Sequence, residues 1–168
     1  MPCHDVAREG SVGASTPPSS SKYDGIIDPL AMALASGEML AMGDIKGSLL
    51  LAEKAQIQSA GQGDVSIALA YMAALRVNRK YGQARKVAEA TIQQHPRDVR
   101  CLYGYADLVW QHYDDAENAK VYLRKCIECD PGFAAARAML AQIKVQEASI
   151  DIQTRAKART DDPGILRS

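Results

Sequence analysis

RCLYGYADLVWQHYDDAENAKVYLRKCIECDP, residues Arg100–Pro131, is the stretch on which the reading of this chain turns. From Cys101 to Trp110 its apolar residues recur at helical spacing. Asp114 and Asp115 interrupt that pattern and supply a cap for a second helix, AENAKVYLRKCIEC. Pro131 and Gly132 then end it, because proline brings no backbone donor and glycine tolerates the turn out of a helix. Two amphipathic helices joined by an acidic turn are predicted, and weaker copies lie upstream.

The same punctuation recurs along the chain. Asp28 and Pro29 open DPLAMALASGEMLAM, which closes near Gly43, and IKGSLLLAEKAQIQSA runs to the glycine-rich Gly61–Asp64. Asp64 caps VSIALAYMAALRVN. After the basic Arg79–Lys80 turn, GQARKVAEATIQQ runs to His95–Pro96, and Asp98 caps the helix of the opening stretch. A long final helix is predicted from about Phe133 to about Lys157. Valine and isoleucine do not alternate with polar residues, so no strands are expected and the fold class is all-α. The Ser/Pro/Gly/Thr-rich start has no hydrophobic period and cannot offset its ordering entropy by burial. The expected organisation is a disordered arm over 1–24, a helical domain over 25–158 and a flexible tail over 159–168.

The helix stops at Ala60, Pro96 and Pro131 are 36 and 35 residues apart. That period and the helix–turn–helix unit resemble the tetratricopeptide repeat, with its W-x2-L-G-x2-Y, A-x3-F-x2-A and terminal P. In the strongest copy Tyr103, Ala106, Asp107 and Trp110 take the first-helix slots. Ala119, Leu123 and Cys126 take those of the second helix, and Pro131 the last. The middle copy offers Ala68, Tyr71, Met72 and Leu75, then Ala84, Ala88 and Thr91, then Pro96. The first offers Met32, Ala35, Ser36 and Met39, then Ser48, Ala52 and Ala55, then Ala60. The slot that the family gives to a tight-packing glycine holds Ser36, Met72 and Asp107. The resemblance implies an α-α superhelix of three repeats, about 29–62, 65–98 and 100–133, covered by a capping helix over about 133–157.

It also implies a function. In this family the first helix of each repeat lines a concave groove. By phase the lining here is Leu30, Ala33 and Leu40, then Leu69, Ala73 and Arg76, then Cys101, Gly104, Leu108, Gln111 and His112, with Gln142 from the capping helix. Relatives that grip the acidic tails of heat-shock chaperones line this groove with cations, and Arg76 is the lone cation in that set. Small and apolar positions suit instead a peptide or helix of another protein with hydrophobic anchors. The expectation is a non-catalytic adaptor with an apolar groove. A narrower form is a small secretion chaperone, because the size and groove resemble the bacterial chaperones of type III translocators. A competing reading is that the chain fills its own groove, through its arm or as a homodimer. A subunit of a larger assembly is the alternative, using the basic residues Arg76, Arg79, Lys80, Arg85 and Lys86.

Chemistry finds little purchase. The chain has 20 basic and 20 acidic residues, so its balance disfavours nucleic acid and anionic membranes as partners. Cys126 and Cys129 form a lone C-x2-C, short of the four ligands of a structural zinc, and Cys126 falls in a small-residue packing slot. His95 and His112 sit at helix ends, where the dipole accounts for them. There is no nucleophile elbow, phosphate loop or dinucleotide fingerprint. No enzyme, metal or cofactor is expected. Four cysteines without a secretory signal, and no apolar run long enough for a bilayer, lead to an expectation of a soluble, cytoplasmic protein.

Overall fold

The computed structural model describes residues 25, 28–60 and 63–160, and the arm expected over 1–24 lies outside them. Seven helices follow in chain order: α1 (Pro29–Ala41), α2 (Ile45–Gln58), α3 (Val65–Val77), α4 (Tyr81–Gln94), α5 (Val99–Tyr113), α6 (Ala116–Cys129) and α7 (Ala134–Thr160). No strand occurs among the described residues. Helices α1/α2, α3/α4 and α5/α6 pair as antiparallel hairpins, and the second helix of each hairpin packs on the helix that follows it, so the hairpins stack.

Aspartates start five of these helices. Asp28, Asp44, Asp64, Asp98 and Asp115 each accept a hydrogen bond from a first-turn N–H, at 2.9 Å for Ala31 and Gly47 and 2.7 Å for Ser66. These bonds satisfy donors that the helix leaves open. α4 begins at Lys80 with no side-chain cap. It is held instead by the turn before it: Arg79 is left-handed, and Asn78 Nδ2 donates to the Ala74 carbonyl at 2.8 Å and to that of Ile45 at 3.0 Å.

The core follows the repeat slots. Leu102, Ala106, Ala119, Leu123 and Cys126 are buried with Ala136, Met139 and Ile143 of α7. Burying a leucine stabilises the fold by about 2 kcal/mol, and the alanines let the helix axes approach. The three residues in the glycine slot solve the close crossing in three ways. Ser36 Oγ donates to the Ser48 carbonyl at 3.0 Å and lies 2.9 Å from the Ser48 hydroxyl, both residues fully buried. Met72 is buried among Ala88, Tyr105 and Val109, with its methyl against Gly104. Asp107 turns toward α3, as described below.

α7 extends past the end expected near Lys157. No helix breaker occurs before Pro163, and the alanines and arginines there favour helix. Lys120, only 10% exposed at its side chain, fastens it by pairing with Glu117 at 2.6 Å and with Glu147 of α7 at 2.8 Å. Beyond Glu147, residues 148–159 are all exposed.

Candidate functional site

Between α5 and α7 lies an open cleft of about 700 Å³. α5 contributes Tyr103, Asp107, Trp110 and Gln111, with Asp114 at its end. Met139, Gln142 and Gln146 come from α7, one turn apart. Helical spacing explains both sets. Positions three and four apart share a face, so one edge of α5 and one edge of α7 look at each other.

Within the cleft wall a polar chain fixes the register of α3 against α5. The Arg76 guanidinium sits 2.6 Å from Asp107 Oδ2 and donates to Gln111 Oε1 at 3.3 Å, while Gln111 Nε2 donates to Asp107 Oδ1 at 2.6 Å. The pair is mostly shielded, with side chains 26% and 14% exposed, which strengthens it relative to a surface ion pair. The Asp114 carboxylate, the Trp110 indole N–H and the Gln142 and Gln146 amides have no hydrogen-bond or ionic partner among the described residues.

The expected groove residues are divided by this geometry. Gln111 and Gln142 line the cleft. Leu30 and Ala73 are exposed, Leu40, Leu69, Arg76 and Gly104 half-buried. Two expectations are corrected. Leu108 is fully buried with Leu49, Ala52, Leu75 and Ala84, and Ala33 is 4% exposed beside Met32, Ala55 and Ile67. Both are core residues. Helix phase gives their angle correctly, but the stacked hairpins lean over them. Cys101 is buried for the same reason. The apolar lining expected of the groove is also corrected at this end, where carboxylates and amides predominate over Met139 and the two rings.

Six lining residues escape the sequence pattern: Tyr103, Asp107, Trp110, Asp114, Met139 and Gln146. Repeat phase assigns Tyr103 and Trp110 to packing alone. They do pack on the core, Tyr103 edge-on to Phe133 at 5.5 Å, yet both also line the cleft. Asp107 in a glycine slot is the available signal. Of the expected basic cluster, Arg76 is held by Asp107 and Arg85 by Glu89 at 2.8 Å, while Arg79, Lys80 and Lys86 are exposed. His112 lies in the last turn of α5. Its ring stacks on Tyr81 at 3.9 Å, and burial, then Arg76, hold its pKa below the ordinary imidazole value. His95 Nε2 lies 2.6 Å from the Gly63 carbonyl and ties the α2–α3 connection to α4.

The cysteines are quiet. Cys126 is fully buried with Sγ 3.6 Å from the Val99 carbonyl, and burial raises its thiol to about 12; Cys101 is raised to about 11 by the same cause. No cluster of three metal-ligating side chains occurs among the described residues, and no described helix is long and apolar enough to cross a membrane.

No family model matches the sequence, and no curated protein does. The fold has clear counterparts. The first TPR domain of RPAP3, bound to the HSP90 peptide SRMEEVD, superposes with a TM-score of 0.62 at 13% identity, covering 72% of this chain and 94% of that one. The Yersinia enterocolitica type III secretion translocator chaperone SycD gives 0.61 at 13% identity, over 71% and 93%. MamA of Desulfovibrio magneticus RS-1 gives 0.59 at 18%, over 80% and 78%. The architecture is that of a tetratricopeptide-repeat solenoid.

Proposed function

We propose that the chain is a non-catalytic interaction module that holds a segment of another protein in the cleft between α5 and α7. One observation carries this: a cleft of about 700 Å³ lined by an indole, two amides and a carboxylate with no hydrogen-bond or ionic partners of their own among the described residues, on a wall braced by Arg76, Asp107 and Gln111. Groups so arranged give orientation and specificity to a ligand. The RPAP3 domain is seen with a peptide, which supports a protein segment as the class of ligand. Its acidic peptide does not transfer, because none of the cleft's lining residues is basic and Arg76, behind them, is already paired with Asp107. Buried, free Cys101 and Cys126 fit a reducing compartment such as the cytoplasm.

Site-directed photocrosslinking tests the proposal. A photoreactive side chain in place of Gln142 is expected to capture a discrete partner from cell extract. The same group in place of Lys86, exposed on α4, is expected to capture that partner at background level. Equal capture from both positions would refute the assignment of the site.

A further inference from the structure

The cleft has a charge preference that the repeat pattern does not encode. None of its lining residues is basic. Of its two carboxylates, Asp107 is neutralised by Arg76, whereas Asp114 has no partner among the described residues. Asp114 also caps the C-terminus of α5, where the helix dipole places partial negative charge. Trp110, one turn before it, also lines the cleft, and an indole is the best of the side-chain rings for a cation. Three contributions along this edge of the cleft therefore favour positive charge: a free carboxylate, a helix C-terminus and an aromatic ring.

Across the cleft, Gln142 and Gln146 each bring a donor and an acceptor from successive turns of α7. Such amides match the alternating N–H and C=O groups of extended backbone. An amphipathic helix would need a longer apolar trough than Met139 and the two rings supply.

We propose that the cleft binds an extended peptide segment carrying a lysine or arginine, its cationic head seated on Trp110 beside Asp114 and its main chain held by Gln142 and Gln146. This rests on the reading that the α5–α7 cleft is the binding site, and adds the chemistry of the ligand.

Trp110 is the chain's single tryptophan, so its indole N–H gives one resolved resonance in a ¹H–¹⁵N spectrum of the full chain. The probes are three blocked heptapeptides in which alanine alternates with lysine, glutamine or glutamate. At about 20 mM salt the lysine peptide is expected to shift the resonance saturably and to bind at least threefold tighter than the glutamine peptide, roughly the worth of one solvated charge contact. The glutamate peptide is expected to leave it unmoved. Raising salt to about 200 mM should weaken the lysine peptide selectively, since exposed charges are screened. In Asp114→Asn the preference for lysine over glutamine should fall to near unity. Asparagine tolerates the left-handed backbone at that position, so the variant keeps its fold.

Glutamine and lysine peptides binding equally would overturn the charge preference and leave the cleft as the site. No shift with any of the three would remove the cleft reading and the inference with it. Tighter binding of the glutamate peptide would reverse the assignment. A Trp110 resonance displaced by Arg8→Gln/Lys22→Gln in the full chain, with no peptide added, would make the chain's own N-terminal segment the occupant and overturn a separate partner.

Discussion

Replacing Gly104 by alanine is expected to stabilise the protein, although the glycine lies where α3 and α5 meet. A Cβ built there would stand 3.6 Å from Leu69 Cδ2 and 3.6 Å from the Met72 methyl, ordinary van der Waals contact. No neighbour has to move. What remains is the backbone: glycine within a helix is less favourable than alanine by about 0.5–1 kcal/mol, through unfolded-state entropy. Gly104→Ala should therefore gain about 0.5–1 kcal/mol, a rise in Tm of roughly 2–5 °C for a domain of this size. Two other glycines calibrate the argument. Gly37, within α1, would place a Cβ with nothing within 4 Å, so its alanine variant should gain a similar amount. Gly47 is the opposite case. Its Cβ would run into the Asp44 carboxylate and the buried Met39 methyl, and Asp44 caps α2 through the Gly47 N–H at 2.9 Å. Gly47→Ala should lose about 1 kcal/mol or more. Urea denaturation followed by circular dichroism measures all three. A Gly104→Ala variant destabilised by more than about 0.5 kcal/mol, with Gly37→Ala stabilised, would show that the hairpins approach more closely than described.

Leu108→Ala should cost about 2–5 kcal/mol in urea denaturation, the price of a cavity in a packed core, and a variant with unchanged stability would contradict its burial. Cys101 and Cys126 should resist a thiol reagent at pH 8 in the native protein and react on unfolding, as counted by mass spectrometry; rapid native labelling of either would refute the packing described. Their raised pKa values, about 11 and 12, also set a sign. Above the ordinary thiol range near pH 9 the unfolded chain loses protons that the folded chain keeps, so stability should fall as pH rises from about 9 toward 11, measurable as a declining urea midpoint that Cys101→Ala/Cys126→Ala flattens.

The helices are legible because their signals are local. Aspartate caps at Asp28, Asp64, Asp98 and Asp115, and prolines at Pro96 and Pro131, act within one turn of where they stand. The slots for Ala84, Ala119, Leu123 and Cys126 are equally readable, since a repeat must bury one face against the next and small residues mark the closest approach. The sequence by itself thus determined an all-helical stack of hairpins and most of its core.

The tertiary structure alone decided what the candidate site offers. Helical phase assigns each residue an angle around its own axis, but says nothing of the tilt and axial offset between helices. Those two quantities bury Leu108 and Ala33 and leave Gln111 and Gln142 open. They bring Arg76 within 2.6 Å of Asp107, 31 positions further on, so that the groove's one expected cation becomes part of a wall. They also leave a cleft between α5 and α7 that Trp110 and Asp114 both line, which gives a pair read as packing and turn residues a place in the candidate site.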